Sequence, residues 1–132
     1  MFEEIPIKSK KRNELIDITG EVQKAVEKAK LKEGLCVVYS PHTTAAVVVT
    51  EGADPSVQTD LINALNRLVP VAGPYTHREG NSDAHIKSAI IGNSRLIFIK
   101  NSKLLLGTWE SCYFVEADGP RQRKIFVKII EG

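Results

Sequence analysis

The chain opens on residues of alternating character and then shifts to a longer period. Phe2-Glu3-Glu4-Ile5-Pro6-Ile7 reads as an edge strand, because Pro6 has no N–H to give to a ladder. Lys8 to Asn13 reads as a turn and Glu14 to Ile18 as the returning strand. From Thr19 to Lys32 the apolar residues Val22, Ala25, Val26 and Ala29 recur at helical spacing. Thr19 is placed to cap that helix, with Glu21 in its first turn. Lys28, Lys30 and Lys32 crowd its end, where the helix dipole favours cations, and Gly34 follows.

Leu35 to Tyr39 and Ala45 to Thr50 are strongly apolar strands, and both faces of the second need cover. Asp54-Pro55 opens a helix with a capping carboxylate followed by proline at the first helical position. Val57, Leu61, Ala64, Leu65 and Leu68 form its apolar stripe. Asp60 lies about 60° from the middle of that stripe, at ~100° per residue, an unusual place for a carboxylate. Pro70 to Asn81 is a loop. Ala84 to Ile91 is a short helix, with Ser82 or Asp83 as its cap and Gly92 just past its end. Strands follow at Arg95 to Lys100, Lys103 to Leu106, Gly107 to Ala117 and Gln122 to Glu131. In the last, Ile125, Val127 and Ile129 face one way, while Phe126 and Ile130 face the other.

This order predicts an α+β fold of antiparallel or mixed sheets, with two to three helices packed on one side. So few helices cannot cover so many apolar strands. The remainder must meet a second sheet or another copy of the chain, so a homo-oligomer is expected.

A length of 132 residues suits one domain with one core. The formal net charge of +2 gives no case for nucleic acid or an anionic membrane as partner. The basic cluster from Lys8 to Arg12 reads as a solvated hairpin tip. The start of the chain has no basic, apolar leader, and the run Ala45 to Val49 is far short of the ~20 residues a membrane span needs. A cytoplasmic protein is expected. Cys36 and Cys112 stand far apart in apolar stretches and read as buried thiols, although a disulfide between them stays open.

The chemistry concentrates at three histidines, His42, His77 and His85, each in a loop or at an element end among small polar residues. A lone loop histidine is usually structural; three in such settings point to a shared site. His85 falls in the first turn of its helix, where the dipole disfavours a cationic ring and leaves a neutral imidazole fit for metal or proton transfer. Glu51, Asp54, Asp60, Glu79 and Asp83 are the carboxylates that can join it, although Asp54 reads first as a helix cap. Histidines with one carboxylate suit zinc or a similar ion. Arg121 and Arg123 follow the turn Asp118-Gly119-Pro120 and either grip phosphate or guard an exposed strand edge. Trp109 alternates with Ser111, Tyr113 and Val115 and is expected in the core.

His42-Thr43-Thr44-Ala45, Glu51-Gly52-Ala53-Asp54-Pro55-Ser56-Val57 and Asp60 resemble the first signature of the YjbQ-like proteins, often called the secondary thiamine-phosphate synthase family. The likeness continues through His77, Gly80-Asn81-Ser82-Asp83-Ala84-His85-Ile86-Lys87 and Gly92-Asn93-Ser94. It ends with Leu105-Leu106-Gly107-Thr108-Trp109 and Asp118-Gly119-Pro120-Arg121-Gln122-Arg123. The resemblance implies an α+β fold with a β-sandwich, a homotrimer packed through its sheets, and a polar pocket near a subunit boundary. It also implies a weak activity that joins a pyrimidine pyrophosphate to a thiazole phosphate and releases pyrophosphate. This chain departs from the family at Glu110, where Gln is usual, and at Thr50, where Asn is frequent.

Three readings follow. In the first, an enzyme acts on a phosphorylated small molecule. Thr43, Thr44, Ser82, Arg121 and Arg123 hold phosphate, and His42, His77 and His85 hold a divalent metal, zinc or magnesium. Glu51, Asp60 and His85 handle protons. In the second, the same pocket binds a metabolite or metal without turnover. In the third, the histidines only support loops. The alternating α/β barrel of the usual thiamine-phosphate synthases has no counterpart in this pattern.

Overall fold

A computed structural model describes residues 1–132. Eight strands and three helices follow one another as β1 (Phe2–Lys8), β2 (Glu14–Asp17), α1 (Thr19–Ala29), β3 (Gly34–Tyr39), β4 (Ala45–Glu51), α2 (Pro55–Leu68), α3 (Ser82–Ile91), β5 (Ser94–Lys100), β6 (Lys103–Leu104), β7 (Glu110–Glu116) and β8 (Gln122–Glu131). The strands form two sheets, one of five in the order β1-β8-β3-β5-β6 and one of three in the order β2-β7-β4. Every pairing is antiparallel. The fold is α+β, as the order of elements predicts.

Strand alternation builds the core. Cys36, Val38, Ile97, Ile99, Ile125, Val127 and Ile129 point inward from the large sheet. Ala45, Val47, Cys112 and Phe114 meet them from the small one. Helix α1 adds Val22, Ala25 and Val26 to the same cluster, and Ile18 joins them from the position just before it. The residues of opposite parity, Leu96, Phe98 and Ile130, face out from the large sheet, and Leu96 and Phe98 are each 57% exposed. No element of the chain covers that face. Both cysteines are free and buried. Burial pushes the Cys36 thiol up to about 11 and the Cys112 thiol up to about 12. No helix is long and apolar enough to cross a membrane.

Several local expectations change. Helix α1 stops at Ala29, not Lys32, because Lys30 takes a left-handed conformation with φ 54°. Thr19 does not cap it; its hydroxyl oxygen accepts the Cys112 N–H at 2.8 Å instead. Asp54 does cap α2, accepting the Ser56 N–H at 3.0 Å ahead of Pro55. The stripe on α2 is only half-buried, and Leu68 is exposed. Beneath α2 lies a half-open hollow of about 80 Å³ lined by Leu15, Val48, Leu61, Leu65, Ile91 and Val115, all apolar. At α3 the cap position falls to Asn81, so Ser82 and Asp83 lie inside the helix. Trp109 is 66% exposed rather than in the core, because β7 begins only at Glu110. Glu110 instead turns back and accepts the Gly107 N–H at 2.7 Å.

Candidate functional site

The polar end of the sandwich is built on buried charge. Glu116 of β7 and Arg123 of β8 both have inward parity, and each is nearly sealed from solvent. Arg123 donates from Nε to Glu116 Oε1 at 2.8 Å and from Nη2 to Glu116 Oε2. Its Nη2 also donates to the Thr44 hydroxyl at 2.8 Å. Ser9 donates to Glu116 at 2.7 Å, and the Asp118 N–H at 3.0 Å. Burial alone would raise the Glu116 carboxyl; the bonds from Arg123, Ser9 and Asp118 outweigh it and hold the group below the usual range.

A second cluster ties three elements together. Asp83, fully buried in the first turn of α3, accepts both Arg12 Nη1 and Nη2 at 3.0 Å. Lys87 lies one turn on and donates to Asp83 at 2.8 Å and to Asn66 of α2 at 2.7 Å. Burial pushes Asp83 up, but the Arg12 and Lys87 bonds prevail and bring it down to about 2. Arg12, expected on a solvated hairpin tip, is instead tied to a buried carboxylate, and no role was expected for Lys87. One signal was present: Asp83 and Lys87 are four apart on a helix, with small Ala84 and Ser88 beside them.

Near these clusters lie two clefts that share one lining residue. The first, about 370 Å³, is lined by His42, Thr43, Ala45, His85, Ser88 and Asn93 among others. The second, about 490 Å³, is lined by Tyr75, Thr76, His77, Ser82, His85 and Ile86 among others. His85 lines both. His77 meets it edge to face, with ring centroids 5.3 Å apart, and its Nε2 lies 3.7 Å from Glu79 Oε2. His42 sits against the Lys124 backbone and lies edge to face with Phe114, ring centroids 6.3 Å apart.

The expected site residues divide into those at the clefts and those elsewhere. His42, His77, His85, Thr43 and Ser82 line one cleft or the other. Thr44 and Arg123 are buried and bonded to each other, and Arg123 is bonded to Glu116 as well. Arg121 donates to the Asp118 carbonyl at 2.8 Å and to its carboxylate at 2.9 Å. Glu51 stands at the opposite end of β4 from Ala45, roughly 20 Å away at about 3.3 Å per residue. Its carboxylate accepts the Ala53 and Asp54 N–H groups, which makes it a turn brace. Asp60 is exposed on α2 and lines neither cleft. No group of three or more His, Cys, Asp or Glu in the chain is arranged to hold a metal ion, so the expected three-histidine set does not form within one copy.

The model of the YjbQ-like UPF0047 proteins matches residues 3–132 of the chain. A UPF0047 protein of Methanocaldococcus jannaschii is 53% identical over 124 residues, covering 94% of this chain and 90% of its own. The UPF0047 protein YugU of Bacillus subtilis is 39% identical over 131 residues, covering 98% and 99%. Among solved structures, an uncharacterized YjbQ/UPF0047 protein of Clostridium acetobutylicum superposes with a TM-score of 0.96 at 48% identity, covering 97% of this chain and 99% of its own. A protein of unknown function from Sulfolobus solfataricus gives 0.96 at 30% identity, covering 100% and 97%.

Proposed function

The chain belongs to the YjbQ-like UPF0047 family, and from that premise we propose that its twin clefts hold phosphorylated small molecules for a group transfer. One observation carries this reading: His85 lines both clefts. A ring so placed touches a ligand on either side and can move a proton between them. Thr43 offers a hydroxyl in one cleft and Ser82 in the other. The reaction we propose is a weak thiamine-phosphate synthase activity. The thiazole nitrogen bonds to the pyrimidine methylene carbon as the bond from that carbon to pyrophosphate oxygen breaks.

A divalent ion, zinc or magnesium, is part of the proposal only if a second copy adds ligands to the His77–His85 pair. We infer a homotrimer, for which the open face bearing Leu96, Phe98 and Ile130 provides uncovered apolar surface. The two free thiols accord with a reducing compartment such as the cytoplasm.

A second reading, a metabolite binder without turnover, draws on a different observation. Arg121 and Arg123, the strongest anion donors expected, make ion pairs with Asp118 and Glu116 inside the chain. Departing pyrophosphate would then meet these two guanidinium groups already engaged by carboxylates. One experiment separates the two. The wild type and His85→Ala are incubated with the pyrimidine pyrophosphate and thiazole phosphate. Transfer predicts thiamine phosphate from the wild type alone. Binding by both substrates without product favours the second reading.

A further inference from the structure

We propose that His42 is a proton-handling residue of the His42–His85 cleft, supported in either protonation state by the backbone of Lys124. The inference deepens the proposed function and rests on its premise that a ligand occupies this cleft.

The support comes from strand register. Met1 pairs with Ile129, and the Ser9 N–H reaches the Arg121 carbonyl, so bonded pairs between β1 and β8 fall at odd positions of β1. Pro6, which has no N–H, stands opposite Lys124 at an unbonded position. The N–H and C=O of Lys124 therefore turn away from β1, toward β3. But β3 ends at Tyr39, opposite Phe126, and leaves Lys124 without a strand partner. His42 fills the gap. Its Nε2 receives the Lys124 N–H at 3.0 Å and lies 3.2 Å from the Lys124 carbonyl oxygen. Its Nδ1 has no partner in the chain, and His42 is one of the residues that line the cleft.

One nitrogen within reach of both a donor and an acceptor can take either role. With its proton on Nδ1, the ring accepts from Lys124 and offers the cleft a donor. With its proton on Nε2, it donates to the Lys124 carbonyl and offers the cleft a lone pair. In the second form a ligand O–H or N–H can pass its proton to Nδ1. The bonding electron pair stays on the ligand atom, and the Lys124 carbonyl steadies the resulting imidazolium. The reverse step returns the proton to a leaving oxygen.

The charged groups facing the ring are Arg123 and Lys124 of β8 and Glu116 of β7, with His85 of α3 across the cleft. Burial and Arg123 lower the proton affinity of His42. The Lys124 backbone and Glu116 act the other way, and the Lys124 ammonium lowers it again; the net direction is down.

Nitrogen NMR of the full chain tests this without any ligand. The Lys124 amide signal is expected to titrate with the His42 ring, at one midpoint below the usual histidine value. A Lys124 amide that stays flat while His42 titrates overturns the proposal. His42→Gln supplies a second test, because its amide offers one donor and one acceptor but does not titrate. It is expected to fold and to lose about 10²–10⁴-fold in thiamine-phosphate formation. A His42→Gln protein with the wild-type pH–rate profile also overturns it. If the wild type forms no product, the transfer reading fails and the amide titration alone decides the role of His42. If His42→Gln does not fold, the same titration decides.

Discussion

Glu116 and Arg123 face each other across the gap between the two sheets, and their two-pronged ion pair joins β7 to β8 at the polar end of the sandwich. Breaking a buried pair costs more than the pair's own worth, because the surviving charge is left in low dielectric. Arg123→Met should therefore lower stability by about 3–5 kcal/mol, measured by urea unfolding. A loss under about 1 kcal/mol would mean that water reaches Glu116 readily and the pair is not sealed.

Acid should loosen the hairpin tip before the core. Asp83 has a folded pKa depressed from 3.8 to about 2, so its contribution is complete above 3.8 and fades as pH falls toward about 2. That difference amounts to about 2 kcal/mol. Asp83→Asn should remove this part of the acid limb in a stability-versus-pH series. An unchanged slope between wild type and variant would contradict it.

Gly119 marks a close approach of backbone to backbone. A Cβ there would lie 2.2 Å from the Lys11 carbonyl oxygen and 2.7 Å from the Ser9 hydroxyl. Gly119→Ala should cost about 1–3 kcal/mol by overpacking. It should also disturb the Ser9–Glu116 hydrogen bond, visible as shifts in the Ser9 and Asp118 amide signals.

The open sheet face gives a prediction about assembly. Phe98→Glu places a charge on exposed surface, so the monomer fold should persist by circular dichroism. Sedimentation should then report a smaller particle than the wild type. Equal sizes for both proteins would place any contact between copies elsewhere.

Local chemistry made much of the fold legible. Asp54 followed by Pro55 starts a helix through neighbouring residues alone, and the odd-numbered residues of β8 keep one face through simple alternation. Trp109 misled for the same reason. Its parity matched a strand, and its carbonyl accepts the Gly52 N–H, but it lies at the exposed end of the ladder, where the Glu110 carboxylate folds back on Gly107. The clefts were legible only in part. Loop histidines with polar neighbours pointed to His42, His77 and His85. Asp83 meets Arg12 from 71 positions away and Arg123 meets Thr44 from 79, and no window along the chain reveals such partners. Glu51 was drawn in by its place at the end of a core strand, which here serves a turn.

The hydrocarbon-lined hollow beneath α2 carries a mechanical consequence. Unfolding eliminates such empty space, so hydrostatic pressure favours states in which it has been lost. Helix α2 has no fully buried residue to resist that drive. Compression should therefore detach this helix first, releasing Asn66 from Lys87 while the two sheets still hold.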